Sequence, residues 1–256
     1  MENPIRLHWL DPRDPNQSFP PPHLALKDPN GLLAIGGDLS PTRLMRAYMQ
    51  GIFPWYNPDE PILWWCPDPR SVLRPEGMSV SKSLGKSIRR ADYAVTLDQA
   101  FADVLAGCAG VRAKSHGTWL GPDMRSAYVD LHRQGHAHSV ELWRHGHLLG
   151  GLYGVAVGRI FFGESMFSRA TDASKIALYY LCEQLKAWRF DLIDCQISST
   201  HLTTLGAQEM RRVEFLECLA SAVRKPGHVE RWHFEIPVPS STQHLFRQPG
   251  NPLLQR

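Results

Sequence analysis

The 256-residue chain has few cysteines and no long apolar run, and both shortages exclude classes of protein. Its cysteines are odd in number and scattered, which argues against a disulfide framework and predicts reduced cytosolic thiols. No stretch of apolar residues is long enough to span a bilayer. The first residues lack the apolar core and the small-residue cleavage site of a secretory signal. We therefore expect a cytoplasmic protein that has no membrane partner.

The chain also has little net positive charge: the formal net charge is only +3 and the isoelectric point is about 8.6. A nucleic-acid partner would have to be bound by a local patch of charge. The segment Ser79–Arg90 bunches four cations together, and these are Lys82, Lys86, Arg89 and Arg90. Two interpretations of this cluster stay open, a phosphate-binding patch and a solvated helix face.

Several signatures of catalytic and metal chemistry are missing. There is no Gly-x-x-x-x-Gly-Lys phosphate loop, and Gly163–Phe167 lacks the second glycine of a hydrolase nucleophile elbow. The histidines between His132 and His147 come without a Cys-x-x-Cys or His-Glu-x-x-His motif, so we predict no metal site. The thiol of Cys195 is better explained as a small buried side chain than as a nucleophile. Acid–base or hydrogen-bond catalysis remains.

The order of the secondary-structure signals predicts an α+β fold. Hydrophobic residues make up 43% of the chain, enough for one or two domains. After Arg70, strands and helices alternate around a run of strands, which favours a largely antiparallel sheet flanked by helices. We expect Asp98 to cap a helix and residues 232–237 to form the last strand. Residues 51–70 hold five prolines and three tryptophans and predict an irregular loop, either a stacking platform or a lid packed on its own core.

The stretch Gly150–Gln196 predicts two strands, a helix over residues 174–188 and a third strand. Three polar side chains interrupt its apolar pattern. Glu164 falls in a glycine-flanked turn of this predicted layout, and Asp194 and Gln196 share a strand face because they are two residues apart. Two interpretations stay equally open: a small polar site in an apolar pocket, or a solvated glutamate and an Asp–Gln pair that only bonds neighbouring loops.

Three stretches of the chain resemble the bacterial leucyl/phenylalanyl-tRNA–protein transferases. The first reads GLLAIGGDLSPTRLMRAYMQGIFPWYNPDEPILWWCPDPR, and the second is HGTWL with the following HAHSVELW. The third reads GGLYGVAVGRIFFGESMFSRATDASKIALYYLCEQL and continues to LIDCQ. The likeness extends over about residues 30–211, and motifs of this length are specific.

This resemblance implies a small N-terminal α/β domain over residues 1–68. An N-acetyltransferase-superfamily-like domain with a mixed, largely antiparallel sheet would follow over residues 69–239, and residues 240–256 would form a disordered tail. It implies an enzyme that moves leucine or phenylalanine, and less readily methionine, from aminoacyl-tRNA to the N-terminal amine of a protein beginning with Arg or Lys. The product would be a degradation signal of the bacterial N-degron pathway. No cofactor is expected, since the acyl donor is a tRNA.

The resemblance also implies roles for the three polar residues of the central stretch. Asp194 and Gln196 would form a relay, in which Asp194 polarises the Gln196 amide and the amide oxygen accepts a hydrogen bond from the attacking amine. Because a neutral amide is a feeble base, Gln196 would mainly orient that amine. Glu164 would hold the cationic terminus of the acceptor.

Further residues would bind the donor. Trp55 and Trp119 would stack on the terminal adenosine of the tRNA, with Tyr48 and Tyr128 supporting them, and the cation cluster would bind the acceptor-stem backbone. The pocket for the aminoacyl side chain would be lined by Leu152, Phe161, Met166, Leu178, Leu181 and Ile193, with Ser168 closing it. Met166 is unbranched and adaptable, which suits a pocket that accepts both leucine and phenylalanine.

Two functions of other classes fit the same fold. One is a non-catalytic RNA- or peptide-binding module, and the other is a small-molecule acyltransferase. Transfer of label from Leu-tRNA into a peptide beginning with Arg distinguishes the three.

Overall fold

The structure, a computed structural model, describes residues 7–113, 120–228 and 230–240. A four-stranded sheet opens the described part of the chain, in the order β1-β2-β4-β3. Its elements are β1 (His8–Leu10), β2 (Leu32–Gly36), helix α1 (Pro41–Tyr48), β3 (Phe53–Pro54) and β4 (Leu63–Trp65). Helix α1 begins at Pro41, because the Ser40 hydroxyl accepts a hydrogen bond from the Arg43 N–H and a proline is favoured at the first helical position.

Strands β3 and β4 lie inside the segment predicted to be an irregular loop, so that prediction was wrong in part. The tryptophans of the segment differ in burial. Trp64 is fully buried and donates its indole N–H to the Gly36 carbonyl at 2.8 Å. Trp55 keeps 42% of its surface exposed. The segment packs on the core through Trp64 and presents Trp55 outward.

The second sheet has seven strands among the described residues, in the order β11-β5-β10-β9-β8-β7-β6. They are β5 (Arg70–Leu73), β6 (Ala94–Leu97), β7 (Ala137–Arg144), β8 (His147–Val157), β9 (Ile160–Ser168), β10 (Leu192–Gln196) and β11 (Gln208–Met210). Every neighbouring pair is antiparallel except β9 and β10, which are parallel. A parallel pair needs a crossover, and helix α5 (Ala173–Ala187) supplies it. The α+β prediction with a mixed, largely antiparallel sheet is confirmed.

The remaining helices pack around this sheet. They are α2 (Lys82–Arg90), α3 (Phe101–Ala113), α4 (Pro122–Arg133), α6 (Thr200–Thr204) and α7 (Arg212–Ala222). Two separate cores follow from strand alternation, since Phe161 joins the core under α5 and its neighbour Phe162 joins the core with α1, α3, α4 and α7. Both faces of the sheet are therefore covered by helices.

Asp98 does not cap the following helix, which corrects the prediction. It is buried, adopts a φ of +56°, and lies 2.8 Å from Nδ1 of His138 through its Oδ2. It also accepts a hydrogen bond from the Trp232 N–H at 2.7 Å. The start of α3 is instead held by the carboxylate of Glu141, which accepts the N–H of Ala100. A group from a neighbouring strand thus takes the role that local sequence predicted for Asp98.

The predicted last strand over residues 232–237 does not form. Two contacts hold this segment without strand pairing. The Trp232 side chain is only 2% exposed, and the backbone N–H of Glu235 donates to the side chain of Gln184. Among the described residues, no helix is long and apolar enough to cross a membrane. The chain leaves the four-stranded sheet after Trp65 and enters the seven-stranded sheet at Arg70. The division into domains 1–68 and 69–239 stays a prediction. The proposed tail lies outside the described residues from residue 241 onward.

Candidate active site

A pocket of about 500 Å³ opens where the parallel strands β9 and β10 separate. Pairing between them ends at Phe162 and Asp194, and the residues that follow on each strand line the pocket. Glu164 lies in the middle of β9 and not in the turn predicted from the sequence. The glycine at position 163 misled that prediction, because this strand tolerates a glycine close to the backbone of β10.

The pocket wall is mostly apolar and contains the side chains expected to bind the aminoacyl group. These are Leu152, Phe161, Met166, Leu178, Leu181 and Ile193. Trp55 and Phe53 line it from the small sheet. Five residues around the start of α6 border it from the other side and were not predicted: Ile197, Ser198, Ser199, His201 and Leu202. Helix α5, which connects β9 to β10, thus forms part of the wall of the pocket between these two strands.

Glu164 is the polar centre of this wall. Its Oε1 accepts hydrogen bonds from the Tyr48 hydroxyl and from the side-chain amide of Gln196, both at 2.9 Å. Its Oε2 accepts the Tyr128 hydroxyl at 2.7 Å, and the two tyrosine oxygens lie 2.9 Å apart. The tyrosines therefore hold the carboxylate, and their support of a stacking platform stays a prediction.

The triangle of Glu164, Tyr48 and Tyr128 has three short oxygen–oxygen contacts. When the glutamate is ionised, only two hydroxyl protons are available for these three contacts. A proton on the carboxyl group completes the ring. Burial acts in the same direction and raises the pKa of Glu164 to about 7, although the two tyrosine hydrogen bonds lower it. The carboxyl group is therefore poised to change its charge near neutral pH.

Gln196 ends β10 in an unusual backbone conformation. Its φ is +65°, and the pairing register between β10 and β5 shifts between Asp194 and Gln196, as at a β-bulge. The bulge turns the side chain toward Glu164, to which Nε2 donates. Because an ionised carboxylate only accepts hydrogen bonds, this contact fixes which end of the amide is the nitrogen. The amide oxygen is left as an acceptor for a ligand in the pocket.

Asp194 does not contact the side-chain amide of Gln196, as the relay would require. Its Oδ1 accepts the backbone N–H of Gln196 at 2.8 Å. Both carboxylate oxygens are bound by the guanidinium of Arg70, at 2.8 Å and 2.6 Å, and both side chains are fully buried. Asp194 thus holds Gln196 through the main chain. Arg70 was missed by sequence reasoning, because a strand that begins with an arginine carries no sign of its burial.

Several predicted residues lie elsewhere. The Ser168 hydroxyl accepts the Ser174 N–H at the start of α5, and Ser168 is not among the residues that line the pocket, so a role in closing it stays a prediction. Trp119 lies outside the described residues. The four cations of the cluster are carried by α2, which packs against α5. Cys195 is half-buried and lines the pocket, and burial raises the pKa of its thiol. No group of metal-ligating side chains converges in the part of the chain that the structure describes.

Comparison with known proteins gives long matches. A family model described as leucyl/phenylalanyl-tRNA protein transferase matches residues 72–220, and the model of that family's N-terminal domain matches residues 37–68. A relative from Nitrosomonas europaea named leucyl/phenylalanyl-tRNA–protein transferase is 53% identical over 225 residues, 88% of this chain and 95% of the relative. A relative of the same name from Stutzerimonas stutzeri is 55% identical over 221 residues, 86% of this chain and 97% of the relative.

The similarity to solved structures is weaker. The structure of L-PGS from Bacillus licheniformis is 12% identical, with a TM-score of 0.36 over 58% of this chain and 48% of that one.

Proposed function

The chain belongs to the leucyl/phenylalanyl-tRNA–protein transferase family, and from this premise we propose that it transfers an aminoacyl group from tRNA to the N-terminal amine of a protein. The donors are leucyl-, phenylalanyl- and, less readily, methionyl-tRNA, and the acceptors begin with Arg or Lys. The product is a degradation signal of the N-degron pathway, made in the cytoplasm where aminoacyl-tRNA is present. The observation that carries the proposal is the hydrogen-bonded pair of Glu164 and Gln196 in the wall of an otherwise apolar pocket.

The reaction is attack by a neutral amine on the ester that joins the aminoacyl group to the tRNA. A carbon–nitrogen bond forms, the bond from the carbonyl carbon to the ribose oxygen breaks, and the ribose oxygen gains the proton that the amine loses. The role of Gln196 is to accept a hydrogen bond from the amine through its amide oxygen and so to align the nitrogen lone pair. Its nitrogen is already engaged by Glu164, which supports this orientation.

Glu164 binds the cationic end of the acceptor. A carboxylate in a mostly apolar wall attracts an ammonium or guanidinium group more strongly than one in water, because the local dielectric is low. Burial raises the pKa of Glu164 to about 7. A cation bound beside the carboxyl group lowers this pKa again and so favours the ionised form.

The apolar wall receives the side chain of the donor amino acid. Such a wall accepts leucine or phenylalanine through burial of their carbon atoms, and Met166 adjusts its rotamer to either shape. Trp55, exposed at the pocket, stacks on the terminal adenosine together with Trp119. The amino acid and the last nucleotide are thus bound by separate parts of the site.

Helix α2 binds the acceptor-stem backbone through Lys82, Lys86, Arg89 and Arg90. Replacing all four with glutamine should weaken tRNA binding and reduce the slope of log Kd against log salt by about one for each phosphate that is no longer neutralised. Binding of an aminoacyl-adenosine analogue should stay the same. An equal loss of affinity for tRNA and analogue would contradict the phosphate-binding role. Lys186→Gln, in the last turn of α5, is the control and should leave the salt slope unchanged.

The direct test mixes the protein with radiolabelled Leu-tRNA and two peptides that differ only in their first residue, Arg or Ser. We expect acid-stable label in the first peptide and little in the second. Binding of the tRNA without transfer to either peptide would contradict the proposal. Gln196→Ala should lower turnover by about 100-fold while both substrates still bind, because misalignment of a reacting group has effects of that size.

A further inference from the structure

Arg70 is a fully buried cation next to the candidate active site. Its side chain has no exposure to solvent, and its Nε and Nη2 atoms bind the two oxygens of Asp194. The guanidinium packs against two aromatic rings, with its carbon 4.8 Å from the ring centre of Phe53 and 4.6 Å from that of Phe215. Strand β3, helix α7 and strand β10 therefore all fix the position of this one group.

The clamp acts on the backbone that presents Gln196. Arg70 donates to Oδ1 of Asp194, and the same oxygen accepts the N–H of Gln196. That N–H belongs to a residue with φ of +65°, in the left-handed region that side chains other than glycine rarely adopt. Such a conformation persists only where its surroundings hold it.

We propose that Arg70 is a positioning residue for the transfer reaction, which orients Gln196 by fixing Asp194. The proposal rests on the function proposed above. Asp194 is fully buried and both of its oxygens are bound by Arg70, so it neither meets the attacking amine nor passes a proton to it. The negative charge of Asp194 serves to accept hydrogen bonds from two sources at once, the guanidinium and the strained backbone.

Lysine cannot replace arginine in this role. A guanidinium presents two parallel N–H donors to a carboxylate and stacks its flat faces on aromatic rings, whereas an ammonium is a point charge. Arg70→Lys keeps the charge that balances Asp194 but loses the paired geometry. We expect Gln196 to lose its fixed orientation while the apolar pocket and Glu164 stay intact.

Arg43 is a matched control in the same chain. It is also fully buried, and its Nε donates to an aspartate, Asp38, at 2.8 Å. It also donates to the backbone carbonyls of Asp11 and Asp14, and none of these residues lines the pocket. Arg43→Lys therefore perturbs an equally buried arginine without touching Gln196.

The experiment compares transfer by wild type, Arg70→Lys and Arg43→Lys. We expect Arg70→Lys to lower kcat by about 100-fold, with little change in KM for Leu-tRNA or for the Arg-initiated peptide. Arg43→Lys should keep a wild-type kcat. A wild-type kcat for folded Arg70→Lys would overturn the proposal, whereas absence of transfer by wild type would overturn the proposed function instead.

A second variant covers the case in which Arg70→Lys does not fold. The double substitution Arg70→Met with Asp194→Leu removes both charges together, and such replacements of buried pairs often preserve stability. It should fold and bind the aminoacyl-adenosine analogue normally, with kcat lowered by about 100-fold. A double variant that keeps the wild-type kcat would show that neither member of the pair positions Gln196.

Discussion

Two buried glutamates lie on the strands that flank β8, and they invite comparison. Glu141 on β7 has no exposed surface, and Glu164 on β9 is 6% exposed. Burial raises the pKa of each to about 7. Each carboxylate accepts several hydrogen bonds, so neither burial nor the pKa separates a structural glutamate from a functional one.

The difference lies in the origin of the donors and in access to a cavity. Glu141 accepts hydrogen bonds from the hydroxyls of Thr96 and Ser139 and from N–H groups of the segment leading into α3. The Glu141 carboxylate thus caps the start of α3 and links β7 to β6. Glu164 is held by side chains of α1, α4 and β10, and it lines the pocket. A charge bound by convergent side chains beside a cavity indicates function, and a charge that caps backbone groups indicates structure.

The largest effect should come from neutralising each glutamate in turn. In the proposed function Glu164 binds the cationic acceptor, so Glu164→Gln should lower transfer to an Arg-initiated peptide by about 2–4 kcal/mol in transition-state terms. Glu141→Gln should leave kcat/KM within about twofold, because its carboxylate meets no substrate. Steady-state transfer with both variants measures the contrast. Equal losses would erase the distinction between the two sites.

Both glutamates should contribute to the free energy of unfolding with the same dependence on pH. A carboxyl with an ordinary pKa near 4.5 in the unfolded chain and about 7 in the folded one holds its proton longer when folded. Its contribution to stability is therefore full below pH 4.5 and is lost as the pH rises through 7, about 3 kcal/mol in total. Glu141→Gln should flatten the curve of unfolding free energy against pH in this window. Urea titrations at several pH values measure this curve. If its slope is the same in Glu141→Gln as in wild type, the raised pKa of Glu141 is contradicted.

The pocket beside Glu164 should discriminate between donors. Met166→Phe fills part of that cavity and should disfavour phenylalanyl- relative to leucyl-tRNA by about 1–3 kcal/mol. Met166→Leu, which nearly keeps the volume, is the control and should leave the ratio close to wild type. Competition between the two labelled donors gives the ratio directly. Equal losses for both donors would place Met166 away from the bound side chain.

The smallest effect should come from removing one hydroxyl at each glutamate. Tyr128→Phe deletes a hydrogen bond that lowers the pKa of Glu164, so the rise of activity should move to higher pH. Ser139→Ala deletes a comparable bond to Glu141 and should leave the pH profile of transfer in place. Profiles of kcat/KM from about pH 6 to 9 bracket that pKa and test this. An unmoved profile for Tyr128→Phe would contradict a role for ionised Glu164.

Local sequence predicted much of the fold because most elements obey their own periodicity and caps. Helix α1 with Ser40 and the hairpin of β7 and β8 around His145 and Gly146 follow from neighbouring residues alone. Asp98 has the local pattern of a helix cap, but its carboxylate binds His138 and Trp232, far along the chain. Predictions failed where distant residues competed for a group that local sequence assigned elsewhere.

The candidate site shows the same limit. The apolar wall could be predicted by resemblance, since its side chains sit in long motifs that match the family. The resemblance identified Glu164 and Gln196 but not the contact between them, which depends on how far β9 and β10 diverge. Arg70 could not be predicted at all, because only the packed structure places it against two aromatic rings.

The long sequence separation between β10 and its partner β5 has a consequence for the order of folding. The contact between Arg70 and Asp194 closes a separation of 124 residues, and the one between Tyr48 and Glu164 closes 116. Contacts so distant in the chain form late, because the entropy of a long loop must be lost first. During synthesis from the N-terminus, the helices and hairpins before β10 are made while the site still lacks Gln196. The candidate site is therefore completed late in assembly, and a chain cut before residue 196 lacks the Gln196 side chain of that site.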